Sequence, residues 1–539
     1  MTLKFNILCV LAAATVLIGT VGCGGSTDQP NDDDNKDNNS TGVKYTQRYN
    51  TDLKIMSRVL GEEVKFDVLL PEEYINGTSE KYNVVYLLHG YGDSKTAWMG
   101  TTLNIRTLAD AAVNSGDAIP MIFVMPQGYN TYYCDKYDGS YSYATMFVDE
   151  LVPAVDKMFR VYGTASSRAV VGYSMGGFGA LALASHNPGL FGVCIGLSPS
   201  LNSDEQYETL SQDGWDKQWG SIFGGKGTSG SARLTSYYKE MCPIHYFSGE
   251  GRKTSGKVKY MIDCGDDEER LYVGNGVLHN VMCDYSVAHE YRVSDGAHTS
   301  AYWSRAMKNE GLKFLTASFN GLTYETEPAQ DNATMTTTAL SESIDCDGLT
   351  LTVMKPASYD ASKSYKVVYF GHGKGACSLS ATDVACALES VMSSKRMLIV
   401  GFDTKDASDK NVSLSRIIDV VDSKYPLDNA LTDRTGLLYG CDNGIFASAV
   451  STSDQALRRL FVEDSDFKYD GSKMSADLFY MDITDGGTNR VAMFESFCAM
   501  RSAGTTVQYR VRNGADTKVS ALNGIYSFVS TLGAPFNKN

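Results

Sequence analysis

The sequence predicts an α/β protein made of two tandem domains, each with a mostly parallel β-sheet. Apolar strand-like runs alternate with helical patterns from Lys44 onward. Continuous apolar strands between helices are typical of parallel sheets that are covered on both faces. Patterns of the first half recur in the second half, which indicates an internal repeat. The length of 539 residues is sufficient for two large domains.

Seven apolar runs in the first half are predicted to be strands. They are Val64–Leu70, Val84–Leu88, Met121–Met125, Ala169–Val171, Val193–Leu197, Val258–Ile262 and Glu290–Val293. A helix is predicted between the third and fourth runs, because Phe147, Leu151, Val155 and Phe159 recur at helical spacing. Active sites of such sheets lie beyond the carboxyl ends of the strands. The polar motifs that directly follow the strands are therefore the candidate functional residues.

The composition excludes several classes of function. Lys and Arg total 48 against 63 Asp and Glu, which gives a net charge of −15. Because so acidic a chain binds phosphate backbones poorly, no nucleic acid is expected as a partner. Hydrophobic residues make up 43% of the chain, which argues against wholesale disorder. The 33 tyrosines suit either a surface that stacks on sugars or a Tyr-rich core.

The cysteines and histidines give no sign of a metal site. Most of the 12 cysteines stand in apolar runs, so buried free thiols are expected rather than disulfides. No C-x-x-C pair is present, which argues against structural zinc. We expect no cofactor and no metal. His245, His279 and His289 are predicted to lie on helix or strand surfaces.

Residues 1–23 are predicted to be a lipoprotein signal peptide. Lys4 precedes an apolar run from Phe5 to Val21, and the following T-V-G-C resembles a bacterial lipobox with Cys23 as the lipidated residue. Residues 24–44 are polar and aperiodic, which predicts a flexible tether. We expect a surface-exposed lipoprotein of the bacterial outer membrane that meets the membrane through its lipid anchor only. A periplasmic or secreted location is the alternative.

The segment Gly172-Tyr-Ser174-Met-Gly176 has the G-x-S-x-G pattern of a nucleophile elbow. A β-branched strand leads into it, and a helix of small residues follows. Such a strand-to-helix turn is too tight for side chains beside the serine, which explains the glycines. The N-terminus of the helix stabilises negative charge near the hydroxyl group. Ser174 is therefore predicted to be a nucleophile.

Two other turns at strand ends supply candidates for a base and an acid. His298 follows Ser174 in the chain and stands in a Gly-bearing turn, so it is predicted to be the general base. Gly265 is followed by four carboxylates at 266–269, one of which would fix the tautomer of the imidazole ring. The order serine, acid, histidine matches that of enzymes with this elbow. His89, in a Gly-rich turn after another strand, is predicted to brace its loop.

Four segments together resemble the esterase D-like esterases and carbohydrate esterase family 1, which includes feruloyl and acetylxylan esterases. They are LLHGYGDS, GYSMGGFGALALA, IDCGDDEERLYVGN and YRVSDGAHTSAYW, within residues 45–320. The resemblance implies an α/β-hydrolase fold and a serine carboxylic ester hydrolase.

The resemblance also implies roles for individual residues. Ser174 would be the nucleophile and His298 the base. The acid position, three residues after the Gly that ends the strand, is Glu268 here, where the family usually has Asp. Asp267 is the alternative acid if the turn is shifted by one residue. The backbone N–H groups of Tyr91 and Met175 would be the oxyanion donors.

The stretch 201–257 is long and polar, and falls where such hydrolases place a cap over the acyl pocket. Trp215 and Trp219 lie in it and suit an aryl acyl group or a sugar ring. We assign residues 45–320 to a catalytic esterase domain, 321–340 to a linker and 341–539 to a degenerate, non-catalytic copy.

The second half repeats the first without its chemistry. The segments SYKVVYFGHGKGACS and TVQYRVRNGADT match strand and turn patterns of the first half, with His372 at the position of His89. The nucleophile, base and acid positions are occupied by Cys441, Asp516 and Gly487. A cysteine without a base or an acid cannot perform the triad mechanism.

The expected function is hydrolysis of feruloyl or acetyl esters on plant polysaccharide or oligosaccharide, through an acyl-enzyme. One alternative is a glycan-binding surface lipoprotein on an esterase scaffold, and another is an acyltransferase.

Overall fold

Strand β3 (Asn83–Leu88) shows how the sheet acquires two buried faces. Val84, Tyr86 and Leu88 pack into the core on one face, while Val85 and Leu87 pack into the core on the other. Side chains alternate along a strand, so a strand that is apolar at every position must be covered on both sides. Helices provide that cover.

A computed structural model describes residues 45–77, 79–324, 336–373, 377–428, 434–440, 457, 459–465, 467–469, 478–514 and 517–531. These residues lie within one compact unit, Ser40–Asn539. The predicted signal peptide with Cys23, the tether, Cys441 and Asp516 fall outside the described residues. No helix in the described ranges has the length and apolar character needed to cross a bilayer.

Sixteen strands are present in the described part of the chain. In the first half they are β1 (Tyr49–Met56), β2 (Glu63–Leu69), β3 (Asn83–Leu88), β4 (Met121–Pro126), β5 (Arg168–Tyr173), β6 (Val193–Leu197), β7 (Lys259–Gly265) and β8 (His289–Ser294). In the second half they are β9 (Leu340–Cys346), β10 (Leu349–Lys355), β11 (Lys366–His372), β12 (Met397–Asp403), β13 (Thr435–Tyr439), β14 (Arg459–Glu463), β15 (Leu478–Thr484) and β16 (Val507–Arg512).

The strand order of the second half repeats that of the first. The first half runs β1-β2-β4-β3-β5-β6-β7-β8, and the second runs β9-β10-β12-β11-β13-β14-β15-β16. In each half the first two pairings are antiparallel and the others are parallel. The sheets meet where β8 pairs antiparallel with β16, with Val293 opposite Val511.

Helices cover the faces of this sheet. In the first half they are α1 (Glu72–Ile75), α2 (Ile105–Ser115), α3 (Tyr143–Met146), α4 (Val152–Met158), α5 (Met175–His186), α6 (Asp204–Glu208), α7 (Gln212–Trp215), α8 (Ser221–Phe223), α9 (Ser236–Met241), α10 (Pro243–Ser248), α11 (Leu271–Asp284), α12 (Ser300–Ala306) and α13 (Leu312–Phe319). In the second half they are α14 (Ala381–Lys395), α15 (Thr404–Asp409), α16 (Leu414–Lys424), α17 (Arg490–Ser502) and α18 (Lys518–Thr531).

The α/β class and all seven predicted strands are confirmed, with ends that differ by a few residues. The helix predicted around Phe147 is interrupted, because a π-helical turn, Phe147–Leu151, separates α3 from α4. Two separate sheets were expected, whereas the structure joins them edge to edge. The division into two domains stays a prediction.

Candidate active site

Ser174 lies at the turn between β5 and α5, with φ 55° and ψ −119°. The left-handed backbone is a strained conformation for a residue with a side chain. The glycines two residues before and after Ser174 have no room for a side chain. A Cβ on Gly172 would lie 2.1 Å from the carbonyl oxygen of Gly176. A Cβ on Gly176 would lie 2.3 Å from the carbonyl oxygen of Leu88 on β3. The elbow geometry predicted from the sequence is confirmed.

Three side chains predicted from the sequence form one chain of hydrogen bonds. Nε2 of His298 lies 2.9 Å from Oγ of Ser174, and its Nδ1 lies 2.9 Å from Oε2 of Glu268. Because the carboxylate can only accept, Nδ1 carries the proton and Nε2 accepts from the serine hydroxyl group. The ring of His298 also rests edge-on against Trp303, with centroids 4.9 Å apart. The arrangement can remove the proton of Ser174.

The carboxylate beside the imidazole is that of Glu268 and not that of Asp267. Glu268 is fully buried, and its Oε1 accepts a hydrogen bond of 3.4 Å from the backbone N–H of Gly265. The Asp267 carboxylate instead pairs with Arg501 at 3.2 Å. The turn is therefore in the register that places the third residue after the glycine next to His298.

His89 has a structural position, as predicted. It is fully buried, its Nε2 accepts from the N–H of Gly128 at 2.9 Å, and its Nδ1 donates to the carbonyl of Gly90 at 2.8 Å. Burial lowers the pKa of His89, which keeps the ring neutral and able to accept. This side chain joins the loops that follow β3 and β4. Tyr91 follows on the first of these loops.

Met175 is the first residue of α5, so its N–H is among those that the helix leaves without an intrahelical acceptor. Such a group is available to a ligand at this end of the helix. The oxyanion roles of Tyr91 and Met175 stay predictions.

A cavity of about 450 Å³ opens beside Ser174 and His298. Its other walls come from the acid loop, which carries Asp267 and Glu268, and from the long segment between β6 and β7. The lining side chains from that last segment include Gln218 and Trp219. Helices α6–α10 build this segment, so the predicted cap is present as a helical insertion. Trp215 of the cap is buried, as are Trp98 and Trp303.

Other sequence predictions have mixed outcomes. None of the nine described cysteines belongs to a disulfide, as expected, and five of them are buried. His279 is buried and His289 is half-buried, so their predicted surface positions are wrong. The reason is that the second half covers this side of α11, where Arg490 of α17 pairs with Asp284.

In the second half, Gly487 follows β15 and His372 ends β11, as the aligned patterns predict.

The family model named "Putative esterase" matches residues 57–314. These residues, just under half of the chain, are similar to that family and are called the esterase segment below. This esterase segment contains Ser174, Glu268 and His298 and all of the strands β2–β8.

Curated relatives are similar to about a quarter of this chain. One is an esterase of Mycobacterium tuberculosis, 32% identical over 142 residues, or 26% of this chain and 29% of that protein. Another is an endo-1,4-beta-xylanase/feruloyl esterase of Xylanibacter ruminicola, 30% identical over 142 residues, or 25% of this chain and 19% of that protein. The chain spans less than a third of the length of these relatives. A solved ferulic acid esterase shares 27% identity with a TM-score of 0.42, over 50% of this chain and 98% of its own.

Proposed function

We propose that the esterase segment is a serine carboxylic ester hydrolase that removes feruloyl or acetyl groups from plant polysaccharide. The observation that carries this proposal is the continuous chain from Ser174 through His298 to the buried Glu268, with two contacts of 2.9 Å. Nucleophile, base and orienting carboxylate are the three parts that acyl transfer through a serine requires.

In the first half-reaction, Oγ of Ser174 attacks the acyl carbonyl carbon while its proton passes to Nε2 of His298. The imidazolium that forms is stabilised by Glu268 through Nδ1. When the tetrahedral intermediate collapses, the bond from carbon to the sugar oxygen breaks. That oxygen takes the proton from Nε2, and the acyl group remains on Ser174.

In the second half-reaction, Nε2 of His298 removes a proton from water, and the water oxygen attacks the acyl-enzyme carbonyl. The bond to Oγ breaks, Ser174 regains the proton, and the free acid leaves. The oxyanion of both steps would be held by the N–H groups of Met175 and Tyr91. Each donor in such a site contributes about 10²–10³-fold to kcat.

The residues of the cap favour a substrate with a flat face, either an aromatic acyl group or a sugar ring. Trp219 is largely buried and lines the cavity next to Ser174, so an aromatic acyl group in the cavity would contact the indole ring. One relative carries the name xylanase/feruloyl esterase, which agrees with a hydroxycinnamoyl ester as substrate. If the acyl group is aromatic, Trp219→Ala should raise the KM for methyl ferulate and leave that for p-nitrophenyl acetate nearly unchanged.

The decisive experiment compares the full chain with Ser174→Ala on p-nitrophenyl acetate, methyl ferulate and acetylated xylan. Loss of at least about 10⁴-fold in kcat is expected for the substrates that are turned over. Ser140→Ala, a matched change on an exposed loop, should retain full activity. Turnover by Ser174→Ala at the wild-type rate would refute the proposal. Glycan binding without any hydrolysis would favour the scaffold alternative.

We also propose that Cys23 carries a lipid that anchors the protein in the bacterial outer membrane, facing outward. The support is the apolar run from Phe5 to Val21 that leads into T-V-G-C. Cells fed radiolabelled palmitate should label the wild-type protein, and Cys23→Ser should remain unlabelled. Protease added to intact cells should remove the protein if it faces outward.

A further inference from the structure

Three metal-ligating side chains converge where α11 ends and β8 begins, away from the cavity beside Ser174. His279 and Cys283 are one helical turn apart on α11, and His289 is the first residue of β8. Residues four apart on a helix project from the same face. The short connection between the two elements then brings His289 opposite that face.

The donor atoms lie at separations that suit a tetrahedral metal. Nδ1 of His279 is 2.9 Å from Nε2 of His289 and 3.8 Å from Sγ of Cys283, and all three atoms lie within 4.8 Å of one another. Zinc bonds of about 2.0–2.1 Å to nitrogen and 2.3 Å to sulfur place such atoms roughly 3.3–3.6 Å apart in a tetrahedral site. The separations of 2.9 Å and 3.8 Å each differ from these values by a few tenths of an ångström, and Sγ of Cys283 lies within 4.8 Å of Nε2 of His289.

Hydrogen bonding orients the lone pair of His289 toward the cluster. Its Nδ1 donates to the carbonyl oxygen of Val287 at 2.8 Å, which leaves Nε2 unprotonated and facing His279. A second nitrogen that donates to a backbone carbonyl is the usual companion of a metal-bound imidazole. The ring of His279 is held in turn by stacking on Tyr291, with centroids 4.3 Å apart.

We propose that His279, Cys283 and His289 form a zinc site. Two imidazole nitrogens and one thiolate are the donor set that Zn²⁺ prefers, and a water molecule completes the fourth position. Binding breaks the S–H bond of Cys283, forms a Zn–S bond and releases that proton to solvent. Nδ1 of His279 donates to Nε2 of His289 in this structure, so its proton moves to Nε2 of His279 when both nitrogens bind zinc. Cys283 is only half-buried, so the ion has a route of entry.

The ion would tie the end of α11 to the start of β8. Both elements are continuous with the catalytic loops, because α11 follows the loop of Glu268 and β8 leads to the loop of His298. The site is independent of the ester hydrolysis proposed above, since none of its ligands touches Ser174 or the cavity.

The test uses the full chain without a polyhistidine tag. After dialysis against Zn²⁺ and then metal-free buffer, elemental analysis should find about one zinc per chain. Cys283→Ser and His289→Gln should each lose it. His245→Gln, which removes a histidine paired with Asp204 elsewhere, should keep it.

A second measurement does not depend on the variants folding. The wild-type protein loaded with Co²⁺ should show a thiolate-to-cobalt charge-transfer band in its absorption spectrum. Wild-type protein that retains no zinc, or that binds Co²⁺ without this band, would overturn the proposal. Equal zinc content in wild-type, Cys283→Ser and His289→Gln proteins would overturn it as well.

Discussion

The guanidinium group of Arg510 on β16 pairs with the buried carboxylate of Asp266, which lies two residues before Glu268. The same carboxylate accepts from the N–H of Tyr509 at 3.0 Å and from the N–H of Gly296, in the loop of His298, at 3.3 Å. One side chain therefore joins both catalytic loops to the second half of the chain. The second half supports the site without supplying a reacting group.

Replacing Arg510 by Met should misplace the two catalytic loops. A buried carboxylate left without its cation costs roughly 3–5 kcal/mol, part of which the loops relieve by moving. Burial raises the pKa of Asp266 and Arg510 opposes that rise, so the variant should protonate Asp266 more readily. We expect kcat to fall about tenfold with KM nearly unchanged, and the acidic limb of the pH–rate profile to move to higher pH.

Arg512→Met is the matched control for that change. Arg512 lies on the same strand and pairs with Asp482 and Glu463, within the second half. The control should lower the melting temperature by a similar amount but leave the acidic limb in place. If both variants alter the profile equally, general destabilisation explains the effect, and Arg510 has no positioning role.

Glu268→Gln should lower kcat by about 10³–10⁴-fold, because a neutral amide neither fixes the imidazole tautomer nor stabilises its cation. Asp267→Asn should change kcat less than about threefold, since that carboxylate pairs with Arg501 instead. Steady-state kinetics on p-nitrophenyl acetate would measure both. The reverse ranking would mean that the acid loop shifts by one residue in solution.

Gly176→Ala should abolish activity and destabilise the fold by about 1–3 kcal/mol or more, because its Cβ would press on the backbone of β3. Gly189→Ala is the matched control, since a Cβ there has no neighbour within 4 Å. The control should alter the free energy of unfolding by less than about 0.5 kcal/mol. Urea titration of both variants, with activity measured alongside, tests this prediction.

Asp263→Asn should remove part of the pH dependence of stability. Burial raises the pKa of Asp263 to about 7, although the hydroxyl group of Tyr302 donates to it. The native state thus binds this proton more tightly than the unfolded chain, so stability falls as pH rises from about 4 to about 7. Above pH 7 the variant should exceed the wild type by up to roughly 4 kcal/mol. Parallel stability–pH curves for the two proteins would contradict it.

The strands and the site could be predicted from the sequence where local pattern determines the outcome. Val193–Leu197 is apolar at every position and could only be a buried strand. Ser174 and His298 were found because each stands after such a strand, and parallel strands end at one edge of the sheet. The choice of Glu268 among the four carboxylates at 266–269 came from the family resemblance. The first strand, Tyr49–Met56, was missed because it mixes charged and apolar residues at the edge of the sheet.

Contacts between distant residues could not be predicted in this way. Arg510 and Asp266 are 244 residues apart, and nothing near either one in the chain indicates the other. The burial of His279 was missed for the same reason, because helix α17 covers it from the second half. The cluster proposed as a zinc site was missed as well, because His289 lies on a separate element from His279 and Cys283.

The antiparallel pairing of β8 with β16 has a consequence for how the chain can be divided. These strands hold the same place in the two strand orders, so they meet as equivalent edges do across the twofold axis of a dimer. Each would otherwise be an open edge that invites aggregation. Because both strands belong to one chain, β8 always has β16 as its partner in a ratio of one to one. The second half placed in this way covers the edge of β8 and supplies the arginines that pair with the acid loop.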